Sequence, residues 1–113
     1  MNLTNLTVYL SGPITGAEGA PAAAFDQAAL KAKRLGAVRV FNPLRACELH
    51  QGRDHAQYMR HCLHELTRGD LATSETEYDV LLLLDGWRDS AGCLAEVVAA
   101  HAIGCEVVEL WQI

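Results

Sequence analysis

The sequence has no long hydrophobic run. Its longest, residues 80–84 (VLLLL), falls far short of the roughly 20 apolar residues that span a bilayer. The first ten residues carry neither a basic segment nor the long apolar core of a secretory leader, so a cytoplasmic protein without membrane contact is expected. Positive charge is also scarce, with 9 Lys and Arg against 14 Asp and Glu for a formal charge of −5. That balance argues against a nonspecific grip on nucleic acid or on an anionic membrane. Cys47, Cys62, Cys93 and Cys105 form no C-x-x-C, which excludes a zinc ribbon or a thioredoxin-like pair and leaves free thiols. There is no Gly-x-Gly-x-x-Gly, Walker lysine, Gly-x-Ser-x-Gly or His-Glu-x-x-His, and no basic-aromatic RNA pattern. His61 and His64 could meet at one metal ion, yet no third ligand stands at suitable spacing. No metal and no cofactor are expected. The Asn-x-Thr sequences at Asn2 and Asn5 match glycosylation acceptors, and without a leader we read them as coincidental.

What is present is ordinary globular material: 113 residues, 50% hydrophobic and 20% charged, enough to bury a core without staples. No repeat, low-complexity tract or linker divides the chain, so one domain over residues 1–113 is expected. Residues 6–10 (LTVYL) have the composition of a strand that stops at Ser11-Gly12-Pro13. Residues 21–35 read as a helix, with Lys31, Lys33 and Arg34 in its last turn and Gly36 as its stop. A short strand at 38–41 breaks at Asn42-Pro43. Residues 55–67 form an amphipathic helix with Tyr58, Met59, Cys62, Leu63 and Leu66 at helical spacing.

Residues 78–84 (YDVLLLL) read as a strand buried on both faces of a parallel sheet and bounded by Asp85-Gly86. Ser90 is the expected N-cap of a helix over 91–103, Gly104 its stop, and 105–111 the last strand. This β-α-β-α-β-α-β order predicts an open, mostly parallel, four- to five-stranded α/β sheet with helices on both faces, Rossmann-like or flavodoxin-like. Ligands of such folds bind beyond the carboxyl ends of the strands. Those ends supply Ser11, Gly12, Pro13 and Gly16, then Asn42, then Asp85, Gly86, Trp87, Asp89 and Ser90, with Gly92 just inside the helix. The first loop's glycines could equally serve only a tight turn. The third loop places an aromatic, two carboxylates and a guanidinium before a helix N-terminus, which favours anions.

The helix over 91–103 carries one carboxylate, Glu96, among Leu94, Ala95, Val97, Val98, Ala99 and Ala100. A surface position is the commoner fate of a glutamate, although Glu96 shares a face with Gly92, Cys93, Ala99, Ala100 and Ile103. YLSGPITG, FNPL, YMR and YDVLLLLDGWRDSAGCLAEVVAAHAIGCEV together resemble the nucleoside 2-deoxyribosyltransferase superfamily. The resemblance is closest to a small uncharacterised bacterial and phage branch with SGP-x-TG and GW-x-x-S-x-G-x-x-x-E motifs. It implies that Glu96 attacks the anomeric carbon of a nucleoside or nucleotide. It also implies that Tyr9 orients Glu96, that Ser90 and Gly92 hold a 5′-phosphate, and that the protein is a homo-oligomer. Asp85, Trp87 and Asp89 are then candidates to touch base or sugar. A carboxylate suits that chemistry, because breaking a deoxyribosyl C–N bond develops oxocarbenium character.

One position departs from the resemblance. The superfamily's aspartate in the second helix falls on Cys62, whose unperturbed pKa of about 8.5 makes it no carboxylate at neutral pH. Asp54, His61 and Asp70 are the substitutes the sequence offers. Two expectations follow: N-glycosidic cleavage or base exchange through Glu96, or a noncatalytic nucleotide-binding module on the same fold.

Overall fold

A computed structural model describes residues 1–14, 20–46, 55–73 and 75–113. Four strands, β1 (Thr7–Ser11), β2 (Arg39–Phe41), β5 (Val80–Leu83) and β6 (Glu106–Glu109), form one sheet in the order β2-β1-β5-β6. Every pairing in it is parallel, with Tyr9 opposite both Phe41 and Leu81, and Leu82 opposite Val108. The helices are α1 (Ala20–Arg34), α2 (Pro43–Ala46), α3 (His55–Thr67) and α4 (Ala91–Ala102). The expected parallel α/β sheet is therefore the fold.

Side chains alternate across each strand, so the sheet carries two cores. Val8, Leu10, Val80, Leu82 and Val108 point to one face, where they meet Phe25, Ala28 and Ala32 of α1. Tyr9, Leu81 and Leu83 point to the other and meet Leu66 of α3 and Ala100 of α4. The run VLLL of β5 is buried at every position because both faces are covered. On the second face the Tyr9 ring stacks on Phe41 at 5.0 Å and meets the edge of Tyr78 at 5.3 Å.

The order β2-β1-β5-β6 fixes where a ligand can enter. From β1 the chain moves outward to β2, then crosses back to build β5 and β6 on the other side. The connections thus diverge between β1 and β5, and in folds of this kind ligands bind beyond the carboxyl ends of the strands at such a point.

Besides the short helix α2, a ladder was not expected. Residues 68–77 contain a small antiparallel ladder, β3 (Gly69–Asp70) with β4 (Glu75–Thr76). Two-residue strands leave no alternation to read in a sequence; pairing and an ion network make this one. Arg68 and Arg39 both reach Glu65 and Glu77, tying the ladder to α3 and β2. Asp70 accepts from the Ala72 N–H at 2.8 Å. The ladder directly precedes the amino end of β5, so Asp70 stands at the opposite end of the strands from Ser11 and is not brought to Glu96.

Candidate functional site

Ser11 ends β1 on the face that carries Tyr9, and α4 begins beside it after the β5 loop. α4 starts because Ser90, with extended backbone, accepts the Cys93 N–H on its side chain at 3.2 Å. The first turns of α4 then bury Gly92, Cys93 and Glu96 against the sheet. Glu96 is 7% exposed, so it lies on the buried face and not on the surface. The Ser11 hydroxyl, itself 1% exposed, donates to Glu96 Oε1 at 2.9 Å.

Tyr9 completes the arrangement. Its hydroxyl donates to the Cys62 carbonyl of α3 at 3.2 Å, and the Glu96 carboxylate also lies within its hydrogen-bonding reach. One phenolic proton therefore faces two acceptors. Burial, then the adjacent Glu96 and Cys62, push the Tyr9 pKa far above its ordinary value, so the phenol stays protonated.

Burial also raises the Glu96 pKa, while hydrogen bonds from Tyr9 and Ser11 pull it back. Both opposing groups are neutral hydroxyls, and burial prevails. The Cys93 thiol is likewise raised, first by burial, with Ser90 and Ser11 acting the other way and Glu96 adding to the rise. It is thus a neutral thiol packed beside the carboxylate, and no nucleophile at neutral pH.

The loops around this cluster are braced by packing. A Cβ at Gly12 would come within 2.9 Å of Leu84 Cβ and 3.1 Å of Phe25 Cζ, so the loop after β1 can lie this close to the end of β5 only as glycine. Gly86 has φ +88°, and a Cβ there would stand 3.3 Å from Pro13 Cγ. Pro13 and Gly86 thereby seat the two loops against each other. Trp87 and Asp89 belong to a short 3₁₀ turn, Trp87–Asp89, before Ser90.

Some expected contacts are not assembled at Glu96. Asn42 donates to Asp26 Oδ1 at 3.2 Å and accepts from the Leu44 N–H, so its side chain ties α1 to α2. Trp87 donates its indole N–H to Glu109 at 2.9 Å, and the Arg88 guanidinium lies 4.5 Å from its ring centroid. That arrangement clips the loop to β6. Asp85 and Asp89 are exposed. Gly16 and Asp54 lie outside the described residues. His61, with Gln57, Arg60 and His64, lines an open groove of about 540 Å³, distinct from the cluster around Glu96. A second groove, about 600 Å³, runs between α1 and the edge strand β2 past Leu30, Lys33, Arg39 and Phe41. No group of three or more metal-ligating side chains occurs among the described residues.

Sequence reasoning missed one feature of the cluster. Ser11 was expected to meet substrate; in the structure its hydroxyl serves Glu96. Cys93 is a free, buried thiol as expected, on the helix face it shares with Glu96.

A family model described as a domain of unknown function, DUF4406, matches residues 6–109. The chain belongs to the DUF4406 family. No curated protein and no solved structure matches it. The match runs from the start of β1 to the end of β6, so the parallel sheet, Tyr9, Ser11 and Glu96 all lie inside the DUF4406 domain. No helix among the described residues is long and apolar enough to cross a membrane.

Proposed function

We propose that the protein cleaves or exchanges the N-glycosidic bond of a 2′-deoxynucleoside or its 5′-monophosphate, with Glu96 as the nucleophile. The observation that carries this reading is a buried carboxylate, bonded to the Ser11 hydroxyl beside Tyr9, at the carboxyl ends of β1 and β5. The resemblance of the SGP-x-TG and GW-x-x-S-x-G-x-x-x-E segments to deoxyribosyltransferases supplies the substrate class. In the first step a Glu96 oxygen bonds to C1′ as the C–N bond breaks, the electron pair leaves with the base, and the base takes a proton from water. Water or a second base then opens the glycosyl ester, giving hydrolysis or transfer. A cluster of low local dielectric favours this step, because the anion loses little solvation when it meets a developing cation. Ser90 and the N–H groups opening α4 suit a 5′-phosphate.

A second reading, a nucleotide-binding module without catalysis, has one observation in its favour. Cys62 stands where the resemblance expects an acid, it is buried, and its carbonyl serves Tyr9. Assembly of a second copy belongs to either reading. Leu94 and Val98 on the outer side of α4, together with Trp111, are large apolar side chains open to solvent.

The test is incubation with a panel of 2′-deoxynucleosides and their 5′-monophosphates, with and without acceptor bases, followed by chromatography. Free base released by the wild type and reduced at least about a hundredfold in Glu96→Ala is expected. Binding that survives Glu96→Ala, with no turnover by the intact protein, would establish the module instead.

A further inference from the structure

We propose that Ser11 is a positioning residue for Glu96, fixing one carboxylate oxygen to the end of β1 and holding the side chain ionised for attack. The inference rests on the proposed role of Glu96 but stands on geometry that does not depend on it. Ser11 is 1% exposed and its hydroxyl lies 2.9 Å from Oε1, so its proton is directed at Glu96 and away from solvent. The other donor, Tyr9, is shared, because its single proton also faces the Cys62 carbonyl. The titratable groups around the carboxylate are Tyr9 from β1, Cys93 from α4 and Cys62 from α3, the last acting through Tyr9. Tyr9 and Cys93 are neutral acids whose pKa values are raised, and the two groups that favour the Glu96 anion are hydroxyls. Among the described residues no cation stands in that set, so the charge is stabilised by the hydroxyls of Ser11 and Tyr9. Ser11 is the one without a competing acceptor on β1 or α3. The Cys93 thiol reaches the same hydroxyl. As a weak S–H donor it can bond to the Ser11 oxygen and leave the Ser11 proton on Glu96.

Loss of the hydroxyl leaves the buried carboxylate with the shared donor alone, which favours the protonated form. The experiment follows Glu96 directly, by NMR titration of its side-chain carboxyl carbon in the full-length protein, assigned by its disappearance in Glu96→Gln. Ser11→Ala is expected to raise the Glu96 midpoint by about one pH unit or more, and Ser11→Thr, which keeps the hydroxyl, to restore it to within a few tenths. Should Ser11→Ala not fold, Ser11→Cys, close in volume and a weaker donor, is expected to shift the midpoint upward by a smaller amount. A midpoint that stays in place or falls in the folded variant overturns the proposal. In the cleavage assay the acid limb of the kcat profile should move by the same interval, a change that a purely structural defect would not produce. An absence of turnover in the wild type would count against the glycosidic function, while the titration would still decide the role of Ser11.

Discussion

At the residue scale, the protonation of Glu96 sets a pH dependence of stability and, under the proposed function, of activity. Its folded pKa lies above the ordinary carboxylate value, with burial as the first cause. Such a group stabilises the fold fully below its unfolded value and loses that contribution as the pH rises through the folded one. Glu96→Gln carries no charge to bury and can still bond to Ser11 and Tyr9. We therefore expect Glu96→Gln to melt at the same temperature as the wild type below about pH 4. At pH 8 it should melt several degrees higher, at about 4 °C for each kcal/mol in a domain of this size. Calorimetry at a series of pH values checks this. Activity runs the opposite way: it should rise with pH as Glu96 ionises, and the limb should lie above the usual range for a glutamate. Gly86 offers a separate test. With φ +88° and Pro13 3.3 Å from an added Cβ, Gly86→Ala should cost about 1–2 kcal/mol, read as a lower urea midpoint.

At the scale of elements, the strands hold the site and the loops present it. Leu82 is fully buried on the α1 face and takes no part in the Glu96 cluster. Leu82→Ala should lose about 3 kcal/mol and lower the melting temperature by about 10 °C or more, while the Glu96 midpoint stays unchanged in the protein that remains folded. The loop between β5 and α4 is clipped at its far side, where Glu109 of β6 accepts from Trp87 and pairs with Arg88 at 3.3 Å. Glu109→Ala should release that clip without touching the core. Faster amide exchange in residues 85–90 and in the Leu110–Gln112 turn that the Glu109 side chain also caps, with a red-shifted Trp87 emission, is the expected outcome. Most of these elements were legible beforehand. The α3 bounds match the reading of 55–67; α2 and the β3–β4 ladder had no reading, and α1, α4 and the strands of the main sheet lie within two residues of theirs, the last strand among them. That strand ends at Glu109 and gives way to a 3₁₀ turn, Leu110–Gln112, which its own capping box closes. The alternation in CEVVELW carried no sign of that turn, because it arises from Gln112 folding back onto Glu109.

At the scale of the whole molecule, strand order joins distant segments. Ser11 and Glu96 are 85 residues apart and meet because β1 and β5 are neighbours with α4 returning over the face that Ser11 points to. The same order separates Asp70 from the site and leaves Asn42 bonded to Asp26. A second copy of the chain is expected to cover the exposed Leu94 and Val98 of α4. Light scattering should give the mass of a dimer or larger assembly that Val98→Asp reduces to a monomer, and a monomeric wild type at working concentrations would contradict it.

The sequence by itself determined the alternation of strands and helices, the burial of VLLL on both faces and the placing of Glu96 on an apolar helix, because these depend on periodicities of two and 3.6 residues. Only the tertiary structure decided that Glu96 faces inward, that Ser11 gives its proton to that carboxylate, that Tyr9 is shared with the Cys62 carbonyl and that Trp87 is held by Glu109. Each of those facts is a contact between elements far apart in the chain, and such contacts are set by strand order and register, which no local pattern records.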